Sequence, residues 1–240
     1  MKQALIVTLA LVGFAMTSSV NRVAPTSFGH SKSVLMPSLA TSGSSWLVLY
    51  DELKLANSGL SRNAYALALR GMHQLKLTKL LLSIVDMSQP SDHKRLYIID
   101  LEAKRLLFNT YVAHGRNSGE LLAKRFSNTN SSFQSSLGFY KTLGLYQGKH
   151  GLSMQLQGLE RGINDNAFAR AIVMHGAPYV SESTIRQTGR LGRSQGCPAV
   201  STAECSPIVR TIAGGSCLFI YSPDQHYLKQ SVFCRESSAD

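Results

Sequence analysis

The stretch Arg95-Leu96-Tyr97-Ile98-Ile99-Asp100-Leu101-Glu102-Ala103-Lys104-Arg105-Leu106-Leu107-Phe108 decides the fold. Two short apolar bursts rich in β-branched and aromatic residues flank four residues too few to form anything but a tight connection. That pattern predicts a β-hairpin, with strands over Arg95–Asp100 and from Arg105 towards Val112. Leu82-Ser83-Ile84-Val85-Asp86 upstream has the same character. Further bursts at 136–140, 152–156, 171–174 and 216–221 are bounded by glycine and predict more short strands. Short helices fit 164–170, 181–187 and 202–213. Many strands with interspersed short helices predict an α+β, β-rich main domain over 83–240, without internal repeats.

Outward from this domain the period changes. Between Trp46 and Leu82 apolar residues recur at helical spacing: Trp46, Leu47, Leu49, Tyr50 and Leu53, then Tyr65, Leu67, Leu69, Met72 and Leu75. Two helices broken near Asn57-Ser58-Gly59, with Ser61 capping the second, are expected to form a small N-terminal cap over 46–82. Residues 20–45 are rich in Ser, Thr, Pro and small side chains and read as a linker. Residues 1–19 have the layout of a secretory signal: Lys2, an apolar run Ala4–Met16, then Thr17-Ser18-Ser19. The run is shorter than the roughly 20 residues of a membrane-spanning helix. Cleavage fits after Ala15 or Ser19. An exported, periplasmic protein is expected, touching the membrane only through this segment.

Across 240 residues, 44% are hydrophobic and 16% charged, with a formal net charge of +11. This is a globular composition, and the charge favours anionic partners. Export removes nucleic acid from that group and leaves the polymers of the cell envelope. The four cysteines, 197, 205, 217 and 234, form no CxxC pair. If Cys197 stays free, one disulfide is possible among the rest, with Cys217–Cys234 a candidate.

The chemistry concentrates in Met174-His175-Gly176-Ala177 and Gly189-Arg190-Leu191-Gly192-Arg193-Ser194-Gln195-Gly196-Cys197-Pro198. His175 ends an apolar run and is expected at the end of a buried strand. Cys197 stands in a glycine-rich loop, which lets a substrate approach the backbone. A neutral imidazole beside a thiol can take its proton, and the thiolate is the attacking species. Pro198 has no N–H, so an oxyanion hole must draw on the amides of Cys197, Gly196 or Gln195. His114-Gly115 and His150-Gly151 are further His-Gly pairs. They read either as cleft-lining or as hydrogen-bonded structural histidines. The three pairs lack the short helical spacing of common zinc motifs, so no metal site is expected. Tyr140, Asn166 and Arg193 are candidate contacts for a carboxylate, or equally solvated surface residues. Lys141, Lys149 and Arg170 read as general surface charge.

His175-Gly176 followed by Ser194-Gln195-Gly196-Cys197 resembles the signature of the YkuD-type L,D-transpeptidases, in the YkuD_2 branch. Val112-Ala113-His114-Gly115, Ser136-Leu137-Gly138-Phe139-Tyr140, Gly162-Ile163-Asn164-Asp165-Asn166 and Gly214-Gly215-Ser216-Cys217 support the resemblance, which runs from about Ile84 to Tyr221. Gln195 stands where the main family has His. The resemblance implies Cys197 as nucleophile, His175 as base and the Gly176 carbonyl as orienter. Ser194, Gln195, Gly196, Arg193, His114, His150, Tyr140 and Asn166 would line the substrate site. It implies peptidoglycan stem peptides as substrate, no stable partner protein, and neither metal nor organic cofactor. Water as acceptor in place of an amine would make the same residues an L,D-carboxypeptidase, and an inert wall-binding protein is a third reading.

Overall fold

The computed structural model describes residues 39–77 and 79–235. The expected signal segment and most of the expected linker lie outside the described residues. The chain begins with helix α1 (Leu39–Glu52), a single 3-10 turn (Leu55–Ser58) and helix α2 (Arg62–Gln74). Ser61 caps α2 by accepting from the Ala64 amide at 3.1 Å. The first helix starts earlier than the Trp46 expected from the pattern. The break comes at Lys54 and Gly59, both left-handed with φ of 51° and 90°.

Eight strands follow, interleaved with three helices: β1 (Leu81–Asp86), β2 (Leu96–Asp100), β3 (Arg105–Thr110), β4 (Gly138–Gly148), β5 (Gly151–Gly158), β6 (Val173–Ala177), α3 (Glu182–Thr188), β7 (Ala199–Ser201), α4 (Thr202–Ile212), β8 (Cys217–Tyr221) and α5 (Gln225–Gln230). They form one mixed sheet in the order β3-β2-β1-β8-β4-β5-β6-β7. The β2–β3 hairpin is as expected, and its turn is tied by Asp100 Oδ1, which accepts from the Glu102 and Ala103 amides. The last strand inserts in the middle. β8 runs parallel to β1, pairing Leu82 with Cys217, and antiparallel to β4.

The core sits around these central strands. Every residue of β8 is buried, and Phe219 stacks on Phe139 with ring centroids 4.1 Å apart. Burying each such side chain contributes about 1.5–3 kcal/mol. α2 lays Tyr65, Ala68, Leu69 and Met72 on β1 and β8, the i, i+3, i+4, i+7 stripe of an amphipathic helix. It approaches so closely that a Cβ on Gly71 would lie 2.1 Å from the Phe139 ring. Leu49, Tyr50 and the buried face of α2 belong to the same apolar cluster as the sheet. The N-terminal helices are therefore a layer of the main domain. α4 packs against β5, β6 and β7, capped by Ser201, whose hydroxyl accepts from the Glu204 amide. Among the described residues no helix is long and apolar enough to cross a membrane.

Several expectations need correction. Segment 164–170 is a run of turns: the buried Asn164 side chain holds the Glu160 amide and the Leu137 and Phe139 carbonyls, outcompeting a helix. β4 extends past Tyr140 to Gly148, across a register shift between Thr142 and Leu145. His175 lies mid-strand, paired with Ser153 of β5 and Ala199 of β7. The Cys217–Cys234 disulfide is not formed, and all four cysteines are free. Cys217 opens β8, whereas the Cys234 thiol lies 3.5 Å from the Tyr227 hydroxyl.

Candidate active site

The loop between α3 and β7 carries Cys197, and hydrogen bonds to the segment after β3 fix both its flanks. Ala113 and Ala199 exchange backbone bonds, the Ser194 amide donates to the His114 carbonyl at 2.9 Å, and the Arg116 amide returns to the Ser194 carbonyl. Within the loop one side chain sets the turn. Ser194 Oγ accepts from the Gly196 amide at 3.0 Å and donates to the Cys197 carbonyl at 2.6 Å. Gly196 has φ of 124°, a region that L side chains rarely adopt. A Cβ there would sit 2.8 Å from the Gln134 carbonyl oxygen. Its glycine requirement comes from packing underneath the loop, and Gly196 does not face the cleft. Its amide, spent on Ser194, is also withdrawn from the oxyanion-hole candidates, leaving those of Gln195 and Cys197.

Cys197 and His175 line one cleft of about 440 Å³. His175 is buried, and its Nδ1 lies 2.9 Å from the Gly176 carbonyl oxygen. A carbonyl only accepts, so Nδ1 carries the proton and Nε2 is left as the basic nitrogen. Burial pushes the His175 pKa down, the Gly176 bond works against it, and His150 and Lys149 push it down further. Burial likewise raises the Cys197 thiol above its usual range, opposed by the Val173 backbone, Arg170 and Lys149. Both shifts favour neutral forms. The Cys197 thiol lies 3.7 Å from the carbonyl of Ala171, so at rest the cleft holds a thiol parked on a carbonyl and, in the same lining, a neutral imidazole.

The other expected residues divide. His150 lines the cleft and stacks on His175, with centroids 4.4 Å apart. Ser194, Gln195 and Arg193 also line it. His114 does not: it is fully buried, accepts from the Arg95 guanidinium at Nδ1 (2.8 Å) and faces the Gly119 carbonyl with Nε2. Burial, then the Arg95 charge, brings its pKa down to about 4. Tyr140 is equally buried, its hydroxyl spent on Ser136. Asn166 is exposed outside the cleft and bonds Asn128.

Three cations line the cleft, Lys149, Arg170 and Arg193, and no Asp or Glu does so among the described residues. Arg193 is committed to Glu120 and to the Arg116 and Gly119 carbonyls. Arg170 is committed to the loop 127–136. Lys149, at the tip of the β4–β5 hairpin, makes no ion pair among the described residues and can meet an anionic ligand. Sequence reading placed both Lys149 and Arg170 on the general surface. Only the fold of the hairpin over β6 and of the turns before it reveals them, although the neighbouring His150-Gly151 pair was a signal for the first. Among the described residues, no three His, Cys, Asp or Glu side chains are grouped to hold a metal ion.

A family model, YkuD_2, L,D-transpeptidase catalytic domain, matches residues 56–221. None of the curated proteins matches the chain. Among solved structures it is similar to an L,D-transpeptidase from Mycobacterium smegmatis, at 11% identity and TM-score 0.37, covering 60% of this chain and 59% of that one. It is also similar to the helical cell shape determining protein Pgp2 from Campylobacter jejuni, at 13% identity and TM-score 0.40, covering 62% and 50%. An L,D-transpeptidase (Yku) from Stackebrandtia nassauensis gives 14% identity and TM-score 0.35, covering 66% of each chain. The chain spans about three fifths of the length of the first solved structures it matches.

Proposed function

The chain belongs to the L,D-transpeptidase catalytic domain family, and from that premise we propose that it is a cysteine-dependent L,D-transpeptidase acting on peptidoglycan stem peptides. The observation that carries the reading is the shared cleft: a thiol at Cys197 and an imidazole at His175 whose Nδ1 proton is fixed on Gly176. Cys197 gives its proton to His175 Nε2 as sulfur attacks the carbonyl joining the stem-peptide diamino acid to D-alanine. The amides of Gln195 and Cys197 receive the oxyanion. The C–N bond breaks, the leaving amine takes the proton from Nε2, and D-alanine departs from a thioester. An amine of a second stem then attacks that thioester, surrendering its proton to Nε2. The new amide forms and His175 returns the proton to the sulfur.

The cationic lining of the cleft suits a substrate that bears carboxylates, and Lys149 is the side chain free to meet one. In this reading the protein works in the cell envelope, exported on residues 1–19.

The test is mass spectrometry of tetrapeptide muropeptides incubated with the protein, beside a Cys197→Ala control. Cross-linked dimers with loss of D-alanine, absent in the control, are expected. Tripeptide without dimers would make the protein an L,D-carboxypeptidase. Unchanged substrate in both samples would overturn the enzymatic reading in favour of a wall-binding role.

A further inference from the structure

Arg170 lies near the end of the run of turns before β6 and is partly buried in the wall of the cleft. Its guanidinium donates four hydrogen bonds, all to one loop. Nη1 reaches the Ser127 carbonyl at 2.7 Å and Ser136 Oγ at 3.1 Å, while Nη2 reaches Ser132 Oγ at 3.2 Å and the Gln134 carbonyl at 2.7 Å. All four acceptors are neutral, and no carboxylate pairs with Arg170 among the described residues. The loop is bonded, yet the charge is not neutralised.

The loop so held is strained. Ser131 and Phe133 have φ of 58° and 53°, a left-handed conformation that non-glycine residues rarely adopt. Such geometry persists only where the surroundings over-determine it. The residue after Arg170, Ala171, is left-handed too, with φ of 53°, and its carbonyl is the one that faces the Cys197 sulfur. Ser131, Phe133 and Ala171 all border the cleft.

What the loop supports is the nucleophile turn. Ser135 Oγ donates to the Gly196 carbonyl at 3.0 Å. A Cβ on Gly196 would meet the Gln134 carbonyl at 2.8 Å and Arg170 Nη2 at 3.5 Å. The guanidinium therefore lies directly under the residue that precedes Cys197.

We propose that Arg170 is a positioning residue for Cys197, clamping the strained 127–136 loop beneath the nucleophile turn and lending an unneutralised positive charge to the sulfur as it becomes anionic. The inference rests on the reading of Cys197 as nucleophile. The charged or titrating groups that share the cleft with this sulfur are Arg170, Lys149 and Arg193 as cations, the neutral His175 with His150 stacked on it, and Tyr179. Burial holds the Tyr179 hydroxyl up at about 12, so it carries no charge at working pH.

The experiment measures the rate of Cys197 alkylation by iodoacetamide against pH, by intact mass, on the full chain. Turnover of tetrapeptide muropeptides is followed in parallel. Arg170→Gln is expected to raise the pH midpoint of alkylation by about one unit, which is about tenfold less thiolate at a fixed pH below it. Arg170→Lys keeps the charge but cannot reproduce the planar fork. It is expected to leave the midpoint within about 0.3 units while lowering turnover at least about tenfold. An unchanged midpoint in a folded Arg170→Gln protein overturns the electrostatic role. If Arg170→Gln does not fold, Arg170→Lys decides, and turnover equal to wild type overturns the clamp. Alkylation needs no stem peptide, so a wild-type protein that alkylates with this profile yet leaves muropeptides intact refutes the proposed function and not the role of Arg170.

Discussion

Replacing Ser194 by alanine removes a single oxygen that serves both sides of the turn carrying Cys197. The Gly196 amide loses its acceptor and the Cys197 carbonyl loses its donor. Each intramolecular hydrogen bond contributes about 1 kcal/mol net, so the substitution costs about 2 kcal/mol if solvent does not replace the hydroxyl. For a domain of this size that is a fall in Tm of roughly 4–8 °C. The flanks remain pinned by the exchange between Ala113 and Ala199 and by the bond from the Ser194 amide to His114, so the fold survives. The turn between them is free to relax, and a displacement of about 1 Å at the sulfur costs on the order of a hundredfold in turnover. Scanning calorimetry and muropeptide turnover on Ser194→Ala, beside Gln195→Ala as an exposed neighbour, read both effects. A Ser194→Ala protein that melts with wild type and turns over substrate at the wild-type rate would show that this hydroxyl does not hold the turn.

Native protein at pH 8 should take up a single iodoacetamide label at Cys197, because Cys205, Cys217 and Cys234 are buried, and three more after denaturation; two or more native labels would contradict the burial. Lys149→Met should raise KM several-fold for a stem peptide ending in a free carboxylate and leave the terminal amide analogue unaffected, whereas an equal effect on both would remove Lys149 from carboxylate recognition. His114 should stay neutral down to about pH 4 in the folded protein, which NMR of its imidazole can follow. The unfolded chain takes up that proton near pH 6.5, so it binds more protons than the folded state between these values. Stability must then fall as pH drops through this window, with about 3 kcal/mol from His114 in total. An imidazole titrating near 6.5 in the native state would show the Arg95 pair to be misread.

The strands and the two residues proposed for the chemistry were legible for different reasons. β1, β2 and β8 are mostly apolar and almost wholly buried, and such runs stand out in any reading. Cys197 was visible because glycines surround it and a family signature contains it. His114, Tyr140 and Asn166 were misassigned because polarity along a chain does not say which way a side chain points. His114 turns inward to a buried Arg95, Tyr140 turns inward to Ser136, and Asn166 faces Asn128 away from the cleft. Segment 164–170 has helical spacing, but that spacing cannot register that Asn164 is consumed by the backbone of another loop. Lys149 and Arg170 look like ordinary surface charge until a hairpin and a string of turns bring them to one sulfur.

The position of β8 constrains how this protein comes into being. The last strand made is the one that joins the two halves of the sheet, pairing Asp86 with Tyr221 on one side and Gly138 with Ile220 on the other. Until Cys217–Tyr221 takes its place, the halves carrying β1–β3 and β4–β7 have no common strand. The chain must close its longest loops before the centre of its core exists, which makes folding slow compared with a protein of local contacts. Every residue lining the cleft precedes Pro198, so the parts of the cleft exist along the chain before the strand that ties the two halves of the sheet together behind them.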